Sequence, residues 1–268
     1  MGLCRCRQEY RVLHRRPRSL VRLRRALRFA SLTAVKRLLP ALVAVLTIAA
    51  CSDESADKTA PASGTGGTKA AASAPVPVGR GFDFYVLSLS WSPTWCGNND
   101  PAGKSDQCEA GSRRGLIVHG LWPQNEKGYP EYCPTRQSDR VPEALGRQYL
   151  DLIPSMGLIG HQWRKHGTCS GLSQVDYFAV ARAARERLTI PPELASTEGS
   201  RNLPVSTIEA ALIAKNPGMT PEMIAVTCEA RLLEEIRICF NKTLKFRACP
   251  EVDRQACRRG AVSLPPAP

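Results

Sequence analysis

The run Phe82-Asp83-Phe84-Tyr85-Val86-Leu87-Ser88-Leu89-Ser90-Trp91 is dense in aromatic and aliphatic residues with partial alternation. That is the pattern of a central β-strand, and Ser92-Pro93 closes it. A polar loop from Cys96 to Gly115 follows, and Leu116-Ile117-Val118 then predicts a shorter strand ending at or near His119. Helical spacing takes over at 142–153, where Leu145, Tyr149, Leu152 and Ile153 form one stripe. It is clearer over 176–188, with Tyr177, Val180, Ala181, Ala184 and Leu188 inward and Arg182, Arg185 and Arg187 outward. Gly167-Thr168 is where a short helix through His161 would have to stop. Ser206-Thr207-Ile208-Glu209 has the form of a capping box and predicts a helix that Asn216-Pro217-Gly218 ends. Residues 232–240 and 244–247 predict a closing hairpin around Asn241-Lys242. No repeat is visible. Helices mixed with non-adjacent strands predict one α+β domain.

Outside 81–260 the pattern changes. Residues 1–37 are rich in arginine, and 38–50 are apolar up to Cys51. That apolar run has the length of a signal-peptide core and is short for a membrane span. Ile48-Ala49-Ala50-Cys51 is similar to a bacterial lipobox, which predicts lipidation of Cys51 and a membrane partner through that anchor. The alternative is an ordinary secretory signal with a cysteine at its cleavage site. Either translation begins near Val35 or the basic segment before Lys36 is an extended leader. Residues 52–80, rich in Ser, Ala, Gly, Thr and Pro, predict a flexible linker, and 261–268 a tail. The expected location is outside a bacterial cytoplasm, periplasmic or at the cell surface, or secreted if the lipobox is unused.

Charge changes the picture less than its total suggests. Of a formal net +13, the first 51 residues carry +11, from twelve Lys/Arg and Glu9. The rest is nearly neutral, so global charge is no argument for a nucleic-acid partner and phosphate recognition must be local. Setting aside Cys4, Cys6 and Cys51, eight cysteines remain: Cys96, Cys108, Cys133, Cys169, Cys228, Cys239, Cys249 and Cys257. An even count in an exported domain predicts four disulfides. Cys239 and Cys249 bracket the expected turn and are placed to bridge it. Zinc is the competing reading, but no pair has the close spacing of a zinc knuckle.

Three of the four histidines lie in two short segments, Val118-His119-Gly120-Leu121-Trp122-Pro123 and His161-Gln162-Trp163-Arg164-Lys165-His166-Gly167-Thr168-Cys169. The fourth, His14, is in the leader. Histidine concentrated in this way points to acid–base chemistry near neutral or mildly acidic pH. As helical neighbours five apart, His161 and His166 are offset by about 140°, against about 40° for the usual four-residue zinc spacing, so no metal is expected.

These segments resemble the two active-site segments of the ribonuclease T2 family of acid endoribonucleases, His-Gly-Leu-Trp-Pro and His-Glu-Trp-x-Lys-His-Gly-Thr-Cys. Trp91-Ser92-Pro93-Thr94-Trp95-Cys96 is similar to the end of that family's first strand, and the resemblance spans roughly 82–257. It implies an α+β fold with a central antiparallel sheet packed with helices and stapled by disulfides. It also implies an RNA substrate, cleavage through the 2′-hydroxyl to 2′,3′-cyclic phosphates with low base specificity, and no cofactor. By resemblance His119 and His166 are the acid–base pair, Lys165 stabilises transition-state charge, His161 holds the phosphate, and Cys133 pairs with Cys169. Trp122 and Trp163 read as wall or core residues that fix the imidazoles, and Trp122 is also a candidate base platform with Tyr129.

The departures are Gln162, where the family has Glu, and Gln124, where many relatives have Asp. An amide cannot titrate, but its NH₂ can donate to a phosphoryl oxygen. Base preference is unassigned, since Tyr129 only loosely matches the family's aromatic. The expected enzyme is a monomer without a protein partner. Two alternatives are a catalytically weak lipoprotein that binds RNA or another polyanion, which Gln162 keeps open, and a structural or adhesion domain on a lipid tether.

Overall fold

The computed structural model describes residues 75–267. The basic leader, Cys51 and the linker as far as residue 74 lie outside the described residues, as do Cys4, Cys6 and His14. Six strands form one sheet: β1 (Phe84–Trp91), β2 (Leu116–Gln124), β3 (Arg201–Pro204), β4 (Ile224–Glu229), β5 (Leu232–Phe240) and β6 (Ala261–Leu264). Around them lie α1 (Ser92–Asn99), α2 (Glu143–Gly146), α3 (Met156–Lys165), α4 (Gln174–Glu186), α5 (Pro192–Ala195), α6 (Val205–Lys215) and α7 (Pro250–Asp253).

β1 is the central strand its composition predicts, and it is buried along its whole length. It pairs antiparallel with β2 on one side and β5 on the other. Tyr85, Leu87, Leu89 and Trp91 enter the main core under α4, whereas Phe84 and Val86 join a smaller cluster with Ala225, Cys239, Cys249 and Val252. Covered faces explain why its alternation is only partial. The sheet is antiparallel except at one parallel bridge between Leu232 of β5 and Ser263 of β6.

Several expectations change. Ser92-Pro93 ends β1 by opening α1, with Pro93 in the helix's first turn, so part of the expected loop is helical. β2 does not stop near His119 but continues to Gln124. Its edge position tolerates Pro123, which has no N–H to donate. The stripe at 142–153 resolves into α2 and a 3-10 turn at Arg147–Tyr149. The helix expected to be capped by Ser206 has Pro204 as its N-cap instead, two residues earlier, and no side chain caps it, so the capping box does not form. β5 takes β4 as its hairpin partner, and 244–247 adds only a bridge from Phe246 to Phe240.

The eight cysteines form four disulfides: Cys96–Cys108, Cys133–Cys169, Cys228–Cys257 and Cys239–Cys249. Both expected ends of the domain move outward. Val76 packs on the core, and the Arg80 N–H donates to the Ser170 carbonyl at 2.9 Å. At the other end β6 lies within the expected tail, burying Val262 and Leu264, and Trp91 Nε1 donates to the Pro265 carbonyl at 3.0 Å. Removing residues 261–268 therefore strips out two fully buried aliphatic side chains. At about 1.5–3 kcal/mol each, urea denaturation is expected to show a loss of about 3–6 kcal/mol. A wild-type midpoint would show that β6 is dispensable.

Candidate active site

β2 brings the first histidine to the site through a break in its register. Ser88 of β1 pairs with Gly120 and Leu89 with Val118, leaving His119 without a partner. Strict alternation from Val118, which faces the core, would put Gly120 on the core face with it. The bulge instead sets Gly120 and Trp122 on the opposite face and turns His119 toward β5, a use of bulges common beside active sites. Gly120 itself allows no side chain. A Cβ there collides with the Gln162 carboxamide and comes within 2.6 Å of Trp122 Nε1.

The second segment lies on α3. Ser155 caps its first turn by accepting from the Leu158 N–H at 3.0 Å, and the helix ends at Lys165 with His166 as its C-cap. Residues 161, 162, 165 and 166 share one face, so His161, Gln162, Lys165 and His166 all reach the same cavity. Gly167 follows because a Cβ there collides with the Trp163 ring and approaches Tyr177 Cδ1 to 2.9 Å. Trp163 is fully buried and donates to the Ser138 carbonyl at 2.8 Å, so it is core rather than pocket wall. The Cys133–Cys169 disulfide ties the loop after β2 to the turn after His166.

Trp122 joins the two segments. Its ring stacks on His166 at 5.2 Å and meets His119 edge-on at 5.4 Å. Its Nε1 donates to Gln162 Oε1 at 2.9 Å. Because the indole can only donate, the amide oxygen must face it, which leaves Gln162 Nε2 buried without a protein acceptor. Gln124 is buried too and donates to the Gly128 carbonyl at 3.2 Å, holding the turn before the exposed Tyr129.

A third element, β5, went unpredicted as a source of site residues. Glu235 is almost fully buried, and its Oε1 lies 2.5 Å from His119 Nδ1. Arg237 binds the other oxygen through Nε at 2.9 Å, donates to Gln255 at 2.8 Å and lies over the Trp122 ring at 5.3 Å. The signal in the sequence was an acid and a base two residues apart within the apolar run of β5, hence on one face. Nothing local connected them to a histidine 116 residues away.

The seven predicted pocket residues, His119, Trp122, Tyr129, His161, Gln162, Lys165 and His166, line one cavity of about 310 Å³, with Glu234, Glu235 and Arg237 in its wall. Lys165 lies 3.5 Å from Glu131 and remains partly exposed. Burial, reinforced by Lys165 and the other two histidines, pushes His166 down to about 3. Burial first, then Lys165, His119 and Arg164, lowers His161. Burial alone would raise Glu235, but the bond and charge of His119, together with Arg237, hold its carboxyl well below the usual range. One imidazole is thus kept neutral by burial, while another is hydrogen-bonded to a buried carboxylate.

An α+β sheet that gathers three imidazoles, a lysine and a buried carboxylate around one cavity is what the two segments and β5 assemble. The chain belongs to the ribonuclease T2 family, whose model, described as "Ribonuclease T2 family", matches residues 82–249. It is 37% identical over 163 residues to a protein named "Ribonuclease" from Aeromonas hydrophila, covering 60% of this chain and 73% of that one. It is 34% identical over 128 residues to a "Probable ribonuclease" of Haemophilus influenzae, covering 43% of this chain and 47% of the relative. Among solved structures, the RNase-related protein from Calystegia sepium aligns over 69% of this chain and 98% of its own, with TM-score 0.57 and 23% identity, a likeness of fold. The protein is a T2-type ribonuclease.

Two outcomes follow from this geometry. A histidine depressed in the folded state binds fewer protons than in the unfolded chain at any pH between its two pKa values. Stability from His166 is therefore complete above about 6.5 and lost as pH falls toward 3, at no more than about 1.4 kcal/mol per pH unit. Thermal melts between pH 7 and 5 are expected to show this fall and to show less of it in His166→Gln; equal slopes would contradict it. Gly120→Ala, by displacing Gln162 and Trp122, is expected to cost at least about tenfold in kcat, and of order 1–3 kcal/mol of stability from overpacking. Wild-type turnover in that variant would show that the two segments do not need this close approach.

Proposed function

We propose that the protein is an exported, metal-independent endoribonuclease that cleaves single-stranded RNA by transphosphorylation. The observation that carries this reading is the pair of unlike imidazoles in one cavity, His166 neutral by burial and His119 bonded to Glu235. Neutral His166 takes the proton of the 2′-hydroxyl. O2′ then bonds to phosphorus as the P–O5′ bond breaks, and cationic His119 protonates O5′. The products are a 2′,3′-cyclic phosphate and a free 5′-hydroxyl, and water can later open the ring to a 3′-phosphate with the proton roles reversed. Lys165 and His161 face the phosphate and offset the charge that gathers on the phosphorane. The free NH₂ of Gln162 donates to a phosphoryl oxygen, so the amide replaces the family's carboxylate as a donor rather than as a titrating group.

Trp122 and the exposed Tyr129 offer aromatic faces to an unstacked base, which favours low base specificity. Export agrees with the four disulfides, which persist in oxidising compartments. Lipidation at Cys51 would place the catalytic domain on a membrane surface, where its RNA is extracytoplasmic.

The test is cleavage of a short RNA and its 2′-deoxy analogue by the full chain, disulfides formed, with EDTA across pH 4–8. Cyclic-phosphate ends from the RNA alone are expected, falling by about 10²–10⁴-fold in His119→Ala and in His166→Ala. Cleavage of the deoxy analogue, or no loss in these variants, would overturn the mechanism.

A further inference from the structure

Glu235 and Arg237 lie outside both active-site segments, yet they bear directly on the chemistry. Their position follows from strand order. β2 and β5 flank β1, so His119 and Glu235 approach each other across an intervening strand, over about 9.6 Å at two strand spacings. In register, Glu235 pairs with Ser90 and Arg237 with Ser88, while Ser88 pairs with Gly120 on the other side. The residues between the two side chains are therefore serines, with Gly120 beside them. Ser88 is fully buried with no partner for its hydroxyl, so it contributes smallness rather than a hydrogen bond. A Val or Leu at either position would occupy the corridor through which the His119–Glu235 bond runs.

Both oxygens of the carboxylate are committed, Oε1 to His119 Nδ1 at 2.5 Å and Oε2 to Arg237 at 2.9 Å. The Glu235 N–H also donates to Thr227 Oγ1 at 3.2 Å. Arg237 is fixed in turn by Gln255 and by the Trp122 ring. A carboxylate with so little freedom orients its partner: it selects the His119 tautomer protonated at Nδ1 and directs the other ring nitrogen away from β5. Its negative charge also offsets the cations near that ring, Lys165 of α3 and Arg237 of β5; the other titratable groups facing it are His161 of α3, His166 at the helix's C-cap and Glu234 in the pocket wall.

The geometry points to Glu235 as a positioning residue for His119, clamped by Arg237, that supplies from β5 the carboxylate the active-site helix lacks at Gln162. This rests on the transphosphorylation reading above, in which His119 is the proton donor. Glu235 touches no substrate atom and acts only through the imidazole. Loss of its charge makes the protonated ring costlier, so the acid form disappears at a lower pH. The alkaline limb of the rate profile is the one that moves.

The measurement is steady-state cleavage of a ribodinucleoside phosphate across pH 4–8 by the full chain, disulfides formed. Wild type, His119→Ala, Glu235→Gln and Glu235→Asp are compared, with folding checked by thermal melts. Glu235→Gln is expected to lower kcat by about ten- to a hundredfold with KM within about twofold, and to move the alkaline limb down by about one pH unit. Glu235→Asp, keeping the charge, returns that limb toward its wild-type position although its shorter reach leaves kcat reduced. A wild-type profile and kcat in Glu235→Gln overturns the proposal. So does a loss of activity with the limb unmoved and no rescue by Asp, which marks a purely structural carboxylate. If Glu235→Gln does not fold, the Asp variant decides through kcat: its shorter reach is expected to lower kcat with KM within about twofold, and wild-type kcat in it overturns the proposal. A fully active His119→Ala would instead sink the transphosphorylation reading on which this depends.

Discussion

A histidine on one strand and a buried glutamate two strands away meet across the centre of the sheet, and much of the site is arranged to permit it. The bulge at His119 turns the imidazole to the correct face. Ser88 and Ser90 leave room above β1, and Arg237 holds the far oxygen of the carboxylate. Without this partner one oxygen of the buried Glu235 carboxylate would be left unsatisfied, with Arg237 alone to pair its charge. With it, the same charge is satisfied and placed beside an ionisable ring.

The opposite treatment is given to His166. It sits at the end of α3, stacked on Trp122, nearly buried, and without a protein partner for Nδ1. Burial and the nearby Lys165 disfavour its cation. Two chemically identical side chains thus sit in unlike surroundings, one bonded to a buried carboxylate and one buried against an indole without such a partner. Trp122 holds the two environments together, touching both rings and fixing Gln162 with its N–H. The amide at 162 keeps a donor in the cavity wall while adding no second negative charge there.

Short-range features of the chain were legible where one chemical constraint dominated. The dense apolar run became β1, and the 3.6-residue stripe through Tyr177 and Ala184 became α4. Where several constraints compete, the pattern misled. Ser206 and Glu209 have the form of a capping box, but Pro204 fixes the N-cap two residues too early for it. The run after Asn241 is a plausible hairpin arm, yet β5 already has partners along its length in β1 and β4, so only one bridge is left for Phe246. The weak segment at 261–264 becomes a strand because β3 and the core around Trp91 are there to receive it.

By itself, the sequence determined the α+β class, the eight-cysteine framework and the pocket residues of the two motif segments. In each segment the functional side chains follow one another at spacings that strand and helix geometry convert directly into a shared face. Tertiary structure alone decided which strands flank β1, which cysteines pair at Cys96–Cys108 and Cys228–Cys257, and that Glu235 and Arg237 belong to the site. The physical reason is separation. A contact between residues 119 and 235 leaves no periodicity in the chain, because it is created by strand order and by the small side chains that keep the path between them open.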